Sequence, residues 1–392
     1  MFILIANIGS TSFKYRLFSM EDEAVLADGK IERIGTANSA PNYALAIRHC
    51  IEQIAGEGKV LARLDELSAI GFKAVHAGPL SGTRLVDEAV LEAMEEFSFF
   101  APAHNPPYIA AMRAFQAELP GVPLVALFET AFFQGLSEAA VTYALPYEWK
   151  ERFGVRRYGF HGASHRSASE RVINLLGRNN LRHISCHLGG SSSVVAIRNG
   201  VAVDTTFGIS PQSGVPQGSR VGDVDPFAVL FMMKKLGLQV EEMAAILGRR
   251  SGLAGISGVS GDVRDLELAA EKGNVQAQLA LDVFSRAVRH YIGAFFVELE
   301  GVDVITFSGG IGENSSAVRE AICKGLSALG LGIDEELNRT IRGAGEISTA
   351  GSALKVLVLP ADEEIIVARE VAGLVGNLAA GTHSTCLTMR KA

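Results

Sequence analysis

Cysteine is scarce and scattered: Cys50, Cys186, Cys323 and Cys386 stand alone, with no CxxC and no Cys/His cluster. That spacing excludes a zinc motif and a dense disulfide framework, and it fits a reduced, cytoplasmic setting. Positive charge is in deficit, with 36 Lys plus Arg against 43 Asp plus Glu and a net charge of −7. A chain so balanced is not expected to bind nucleic acid or an anionic membrane, both of which attract basic patches. No apolar run reaches the roughly 20 residues of a membrane span. The opening MFILIANIGS lacks the basic start and the length of a signal or anchor. Also missing are a P-loop GxxxxGK(S/T), a GxGxxG in the right place and any Pro- or Ser-rich linker. A nucleotide would therefore be held by hairpins, and the domain boundary should be packed rather than tethered.

What is abundant is apolar residues, 48% of 392, and glycine, 42 in all. The length suits two or three domains with sizeable cores. Glycines gather where short β-rich runs end. Phe2–Ala6 reads as a strand, Asn7-Ile-Gly-Ser-Thr-Ser12 as its turn, and Phe13–Phe18 as the returning strand. The second half repeats the design: strand-like His183–Cys186, the turn His187-Leu-Gly-Gly-Ser-Ser192, then Val194–Arg198. Aligned, Asn7 meets His187, Gly9 meets Gly189 and Ser12 meets Ser192, which points to duplication of one α/β unit. Helical spacing marks Tyr43–Ala55, Leu91–Phe97 and Asn274–Leu299. Val302–Phe307 reads as a buried strand ending in Gly309–Asn314, with a helix from about Ser315. Lys355–Leu359 is another, ending in Pro360-Ala-Asp-Glu-Glu364 before a final helix to about Val375. Strands alternating with helices predict an α/β fold with sheets covered on both faces.

Three glycine-rich strand ends, Asn7–Ser12, His187–Ser193 and Gly309–Asn314, could each be ordinary turns. Together they suit phosphate, because ligands in open α/β sheets bind beyond the carboxyl ends of strands, where glycine lets N–H groups approach. Lys14 and Arg16 should point one way from the first hairpin and Tyr15 the other. Carboxylates close two apolar strands: Glu129 after Pro123–Phe128, and Asp362, Glu363 and Glu364 after Leu357–Pro360. Each could hold Mg²⁺ beside polyphosphate, although Asp362 also suits a plain helix start. His104, His161, His165 and Arg220 stand among glycines and prolines, as donors to a transferring phosphoryl group would. His49, His76 and His290 lie in apolar or helical contexts and read as structural.

NIGSTSFK, APAHNPP, ALPYEWKERFGVRRYGFHGASH, HLGGSSS, RSGLAGISGVSGDVRDLE, GGIGENSSAVRE and PADEE together make the chain resemble the acetate/propionate/butyrate kinase family of actin-like phosphotransferases. The resemblance covers essentially the whole chain. It implies two duplicated actin-like, ribonuclease H-like domains, residues 1–128 plus 365–392 and residues 129–364, with a nucleotide cleft between them. It also implies a Mg²⁺-dependent enzyme, Mn²⁺ substituting, that turns ATP and a short-chain carboxylate into ADP and an acyl phosphate, and that works as a homodimer. Carried over, Asn7 and Glu363 hold the metal; Ser10, Ser12 and Lys14 form the phosphate hairpin. His187, Leu188, Gly189, Gly190 and Ser191, then Asp262, Val263 and Arg264, then Gly310, Ile311, Gly312, Glu313 and Asn314 contact ATP. Glu129, His161 and Arg220 are catalytic, His104 lies near the phosphoryl path, and Lys73, Val75, Ala103, Phe160 and Pro211 surround the acyl substrate.

Five positions depart from the family pattern. Lys73 stands for its arginine, Glu129 for its aspartate, Gly190 for an asparagine and Ala103 for the leucine before His-Asn-Pro; Phe133 also replaces a histidine. Lysine offers a point charge where arginine offers a planar fork. Lys73 and Glu129 either compensate each other or mark a weakened enzyme, and a non-catalytic nucleotide-binding relative stays open as an alternative. Ala103 removes three carbons and implies room for propionate or a larger acid.

Overall fold

The structure, a computed structural model, describes residues 1–9, 12–34 and 40–388, with backbone alone at 379 and 381–388. It divides into two compact units, Met1–Gln134 with Asp362–Ala392, and Gly135–Ala361. In the first unit, β1 (Phe2–Gly9) and β2 (Ser12–Ser19) form the expected hairpin, followed by β3 (Ala24–Glu32), β4 (Leu67–Ala74), β5 (Thr83–Leu85) and β6 (Leu124–Phe128). Among the described residues the sheet has six strands, ordered β3-β2-β1-β4-β6-β5. β1, β4 and β6 run parallel; the others pair antiparallel. β6, Leu-Val-Ala-Leu-Phe, is buried throughout, as a parallel strand covered on both faces requires. β2 alternates instead, with Phe13, Tyr15 and Leu17 inside and Lys14 and Arg16 exposed. One face packs Leu4, Phe72 and Phe128 against the helices Tyr43–Ile54 and Asn105–Glu118. Val367 and Val371 of the helix Glu363–Thr388 cover Gly71 on the other.

The second unit repeats this plan with β7 (Arg182–Leu188), β8 (Ser192–Arg198), β9 (Val201–Thr205), β10 (Val304–Ser308), β11 (Gly345–Glu346) and β12 (Lys355–Val358). Its order is β11-β12-β10-β7-β8-β9, again with three parallel strands, β7, β10 and β12, at the centre. Strand for strand, order and direction match the first sheet, so the duplicated α/β architecture expected from sequence is what the chain folds into. The helix Val275–Glu298, capped by Asn274, lays Ala277, Phe284, Val288 and Ile292 on one face with Ile184, Val194 and Phe307. Each of the larger side chains among them, such as Phe284, Val288 and Ile292, contributes about 1.5–3 kcal/mol when fully buried.

Three expectations need correction. The hairpins do not close alike: Gly9 faces Ser12 across the first, but Leu188 faces Ser192 across the second. Gly309–Asn314 is not a loop but a helical turn, followed by the helix Ser316–Cys323. The last helix runs on past Val375 to Thr388. Glu129 and Glu363 both lie in the first unit.

His183 on β7 is buried and shares a hydrogen with Thr306 Oγ1 at 2.8 Å. Burial drives its pKa down to about 3, so the folded chain refuses a proton that the unfolded chain accepts below about pH 6.5. The unfolded state then binds more protons, and stability falls as pH drops from about 6.5 toward 3. Urea unfolding at pH 7.5, 6 and 5 should show this loss, and His183→Gln should blunt it by up to about 1.4 kcal/mol per pH unit.

Candidate functional site

In the first unit, Asn7, Lys73 and Glu129 come from the carboxyl ends of the three adjacent parallel strands β1, β4 and β6. Glu129 keeps the strand's pairing by donating its N–H to Ala74 O at 2.8 Å. The Lys73 ammonium lies 3.3 Å from Glu129 Oε1 and bonds Glu363 at the start of the last helix. Burial works against that ammonium, but the charges of Glu363 and Glu129 outweigh it and hold the Lys73 pKa well above the usual lysine range. Tyr108 donates its hydroxyl to Asn7 Oδ1 at 3.4 Å and accepts from the Ile8 N–H at 3.3 Å. Burial pushes its pKa up to about 12, with Lys73 opposing. Lys14 faces Asn7 across the hairpin, and Arg16 pairs with Glu364 at 2.8 Å. The potential metal donors are all oxygens, two carboxylates and an amide, a set that fits a hard cation such as Mg²⁺ keeping its own waters.

In the second unit, four segments converge on the β7–β8 hairpin. His161 sits at φ 61°, just before the helix Gly162–Leu176. Its Nδ1 shares a hydrogen with Ser193 Oγ at 2.9 Å, and its ring centroid lies 4.5 Å from that of His187. His187 Nδ1 is held in turn by Ser164 Oγ at 2.7 Å. His165, fully buried, bonds Ser185 and Ser193 at 2.9 and 2.8 Å. Burial, then His187 and His183, keep its pKa well below the usual histidine value, so it is neutral. Arg220 donates from Nη1 to Ser191 Oγ at 3.0 Å and to Gln217 Oε1 at 3.2 Å. Burial lowers its pKa, but an arginine stays charged.

The glycines make the convergence possible. A Cβ on Gly218 would lie 3.0 Å from Gly261 O and 3.4 Å from Gly190 O, so Asp262–Arg264 and the hairpin press against one backbone. Gly309, at φ 75°, brings the 310–314 turn under Leu188, whose carbonyl oxygen a Cβ would meet at 2.6 Å. Below that turn, Arg319, 1% exposed, donates to the carbonyls of Gly312 and Glu313 at 2.9 and 3.0 Å and to Asn338. Glu313 Oε1 accepts from the Gly309 and Ala361 N–H groups. Leu188 and Val263 are core residues, so any ligand contact from them is through the main chain.

The structure thus gathers Asn7, Lys73, Glu129 and Glu363 in one cluster, and His161, His187, Ser191 and Arg220 in another. Ser12 and Lys14 lie on the first hairpin; Ser10 lies outside the described residues. Val75 is buried, Ala103 exposed and His104 half-buried in the first unit, tied together where Asn105 Nδ2 donates to His76 O at 2.7 Å. Phe160 and Pro211 are buried in the second unit, Phe160 edge-on to Phe207. Sequence reasoning missed Tyr108, and named Ser193 and Gln217 only as members of the His187–Ser193 turn and of the glycine-rich stretch before Arg220, without a role for either.

The model of the acetokinase family matches residues 2–369. An acetate kinase of Geobacillus sp. (strain WCH70) is 42% identical over 391 residues, covering 95% of this chain and 98% of that protein. A crystal structure of Porphyromonas gingivalis acetate kinase superposes with TM-score 0.85 at 36% identity, over 94% of this chain and 98% of its own. A propionate kinase from Francisella tularensis gives TM-score 0.86 at 31% identity, with the same two coverages.

If Lys73 and Glu129 fit one another, exchanging both should cost less than the two single exchanges summed. Denaturant unfolding of Lys73→Arg, Glu129→Asp and the double variant is expected to show a coupling of about 1 kcal/mol or more; a coupling near zero would mean that each residue acts independently.

Proposed function

The chain belongs to the acetokinase family, and from that premise we propose that it transfers the γ-phosphoryl group of ATP reversibly to a short-chain carboxylate, acetate first. The observation that carries this reading is the convergence of His161, His187, Ser191 and Arg220 on one glycine-serine hairpin. A carboxylate oxygen attacks the γ-phosphorus in line, a new P–O bond forms, and the bond to the bridging oxygen breaks as ADP leaves with its electron pair. The acid is already ionised at pH 7, so no general base is required. Catalysis is positioning plus charge neutralisation.

In the second unit, Arg220 offers guanidinium N–H groups and His161 its Nε2 to the equatorial oxygens of the moving group. Ser193 fixes the His161 ring, and Gln217 with Ser191 fixes the Arg220 fork. His187 to Ser191, Asp262 to Arg264 and Gly310 to Asn314 cradle ATP. In the first unit, Ser10, Ser12 and Lys14 take phosphate oxygens, while Lys73, with Glu129 behind it, faces the acyl carboxylate alongside His104, Val75 and Ala103. In the second unit, Phe160 and Pro211 offer apolar contact to the acyl group. Asn7 and Glu363 would hold Mg²⁺, or Mn²⁺ in its place, which when bound neutralises phosphate charge. The setting is cytoplasmic; no described helix is long and apolar enough to cross a membrane. The enzyme works as a homodimer, supported by the helix Pro226–Leu236. None of its residues is buried, and Phe227 is 75% and Phe231 63% exposed.

A second reading, preference for propionate, is favoured by Ala103, which leaves space where the family pattern has leucine. One methylene discriminates by about 1–3 kcal/mol.

Trapping acyl phosphate with hydroxylamine, across C2–C5 acids with ATP and Mg²⁺, tests both readings. Product is expected, and Arg220→Ala should lower kcat about 100-fold or more; nucleotide binding without product would make the chain a non-catalytic relative. Ala103→Leu should cut the propionate-to-acetate ratio of kcat/KM by about tenfold. Phe227→Glu with Phe231→Glu should shift the light-scattering mass from dimer to monomer.

A further inference from the structure

Lys73 has a relation to Glu363 that the phosphoryl-transfer reading does not use. Its ammonium contacts the carboxylate of Glu363 while lying 3.3 Å from that of Glu129. Glu129 is 3% exposed, and two carboxylates so enclosed need a positive charge between them. An ammonium is compact and carries its charge at a point, as a metal ion does, and its four-carbon stem can swing. Glu363, however, is also the carboxylate assigned above to the divalent cation, and a metal ion and an ammonium compete for the same oxygens.

We propose that Lys73 is a built-in counter-ion which takes the cation's place at Glu363, so that loading a divalent ion displaces it toward Glu129 and the acyl carboxylate. The inference rests on Glu363 being a cation ligand. It makes cation binding and presentation of the substrate-binding charge one event, with Glu129 keeping hold of the ammonium throughout. It also gives lysine a role that a planar, bulkier guanidinium fills poorly, because the exchange needs a charge that fits between two carboxylates and then leaves one of them.

Mn²⁺ binding to the nucleotide-free chain, followed by electron paramagnetic resonance, tests this without turnover. Lys73→Met should bind Mn²⁺ about tenfold or more tightly than the parent, and Mn²⁺ should raise its melting temperature by more. Should Lys73→Met fail to fold with Glu129 uncompensated, Lys73→Met with Glu129→Gln removes both partners of the enclosed pair and carries the same expectation. Affinity equal to or weaker than the parent's, or no Mn²⁺ binding by any variant, overturns the exchange. Glu363→Gln separates the two ideas. If it abolishes Mn²⁺ binding while Lys73→Met tightens nothing, the cation role of Glu363 stands and only the exchange falls. If Glu363→Gln leaves Mn²⁺ binding intact, the cation assignment itself is wrong and the exchange goes with it.

Discussion

A parallel strand buried on both faces keeps a polar side chain along its length only by pairing it, as His183 pairs with Thr306, so chemistry open to a ligand is pushed to its ends. Each unit of this chain centres on three such strands. Leu124–Phe128 and Val304–Ser308 are buried throughout, and the groups that matter stand where those strands and their neighbours stop: Asn7, Lys73 and Glu129 in one unit, His187 and the 309–314 turn in the other. The sheets therefore do more than support the candidate site. They set the spacing at which charges from distant parts of the chain meet, close to the distance between neighbouring strands.

What the two units do with that shared frame differs. The first assembles opposite charges, one ammonium against two carboxylates, and its character is electrostatic. The second assembles imidazole rings held by serine hydroxyls beside a hairpin whose Ser191 accepts from Arg220, with His165 kept neutral by burial. In one, charge is balanced by a partner; in the other, orientation is fixed by serines on both sides.

Much of this was legible in the chain. Alternating apolar residues announce β2, and an unbroken apolar run announces β6, since period and burial are written directly in residue type. The hairpin residues, Arg220 and His161 were visible because glycine, serine and charge crowd together there. The 309–314 turn was misread because glycine-rich segments look like loops; Gly309 alone needs the positive φ, and the residues after it coil with Arg319 capping their carbonyls. Tyr108 was invisible because a buried tyrosine on an amphipathic helix carries no motif, and its partner Asn7 lies on a different element. The tie of Glu129 to its sheet, an N–H that continues the pairing to Ala74, is a matter of strand register that residue type does not announce.

The one-residue difference between the hairpins has a consequence for how these copies diverged. Side chains alternate along a strand, so a turn longer by one residue inverts everything after it. Opposite Asn7 the returning strand presents Lys14; opposite His187 it presents Ser193, while Val194, the counterpart of Lys14 by position, goes into the core. With no residue gained or lost between the aligned turns, a one-residue shift in pairing thus sets a hydroxyl opposite His187 where the first hairpin sets an ammonium opposite Asn7. The lobes are twins in topology yet no longer interchangeable residue for residue.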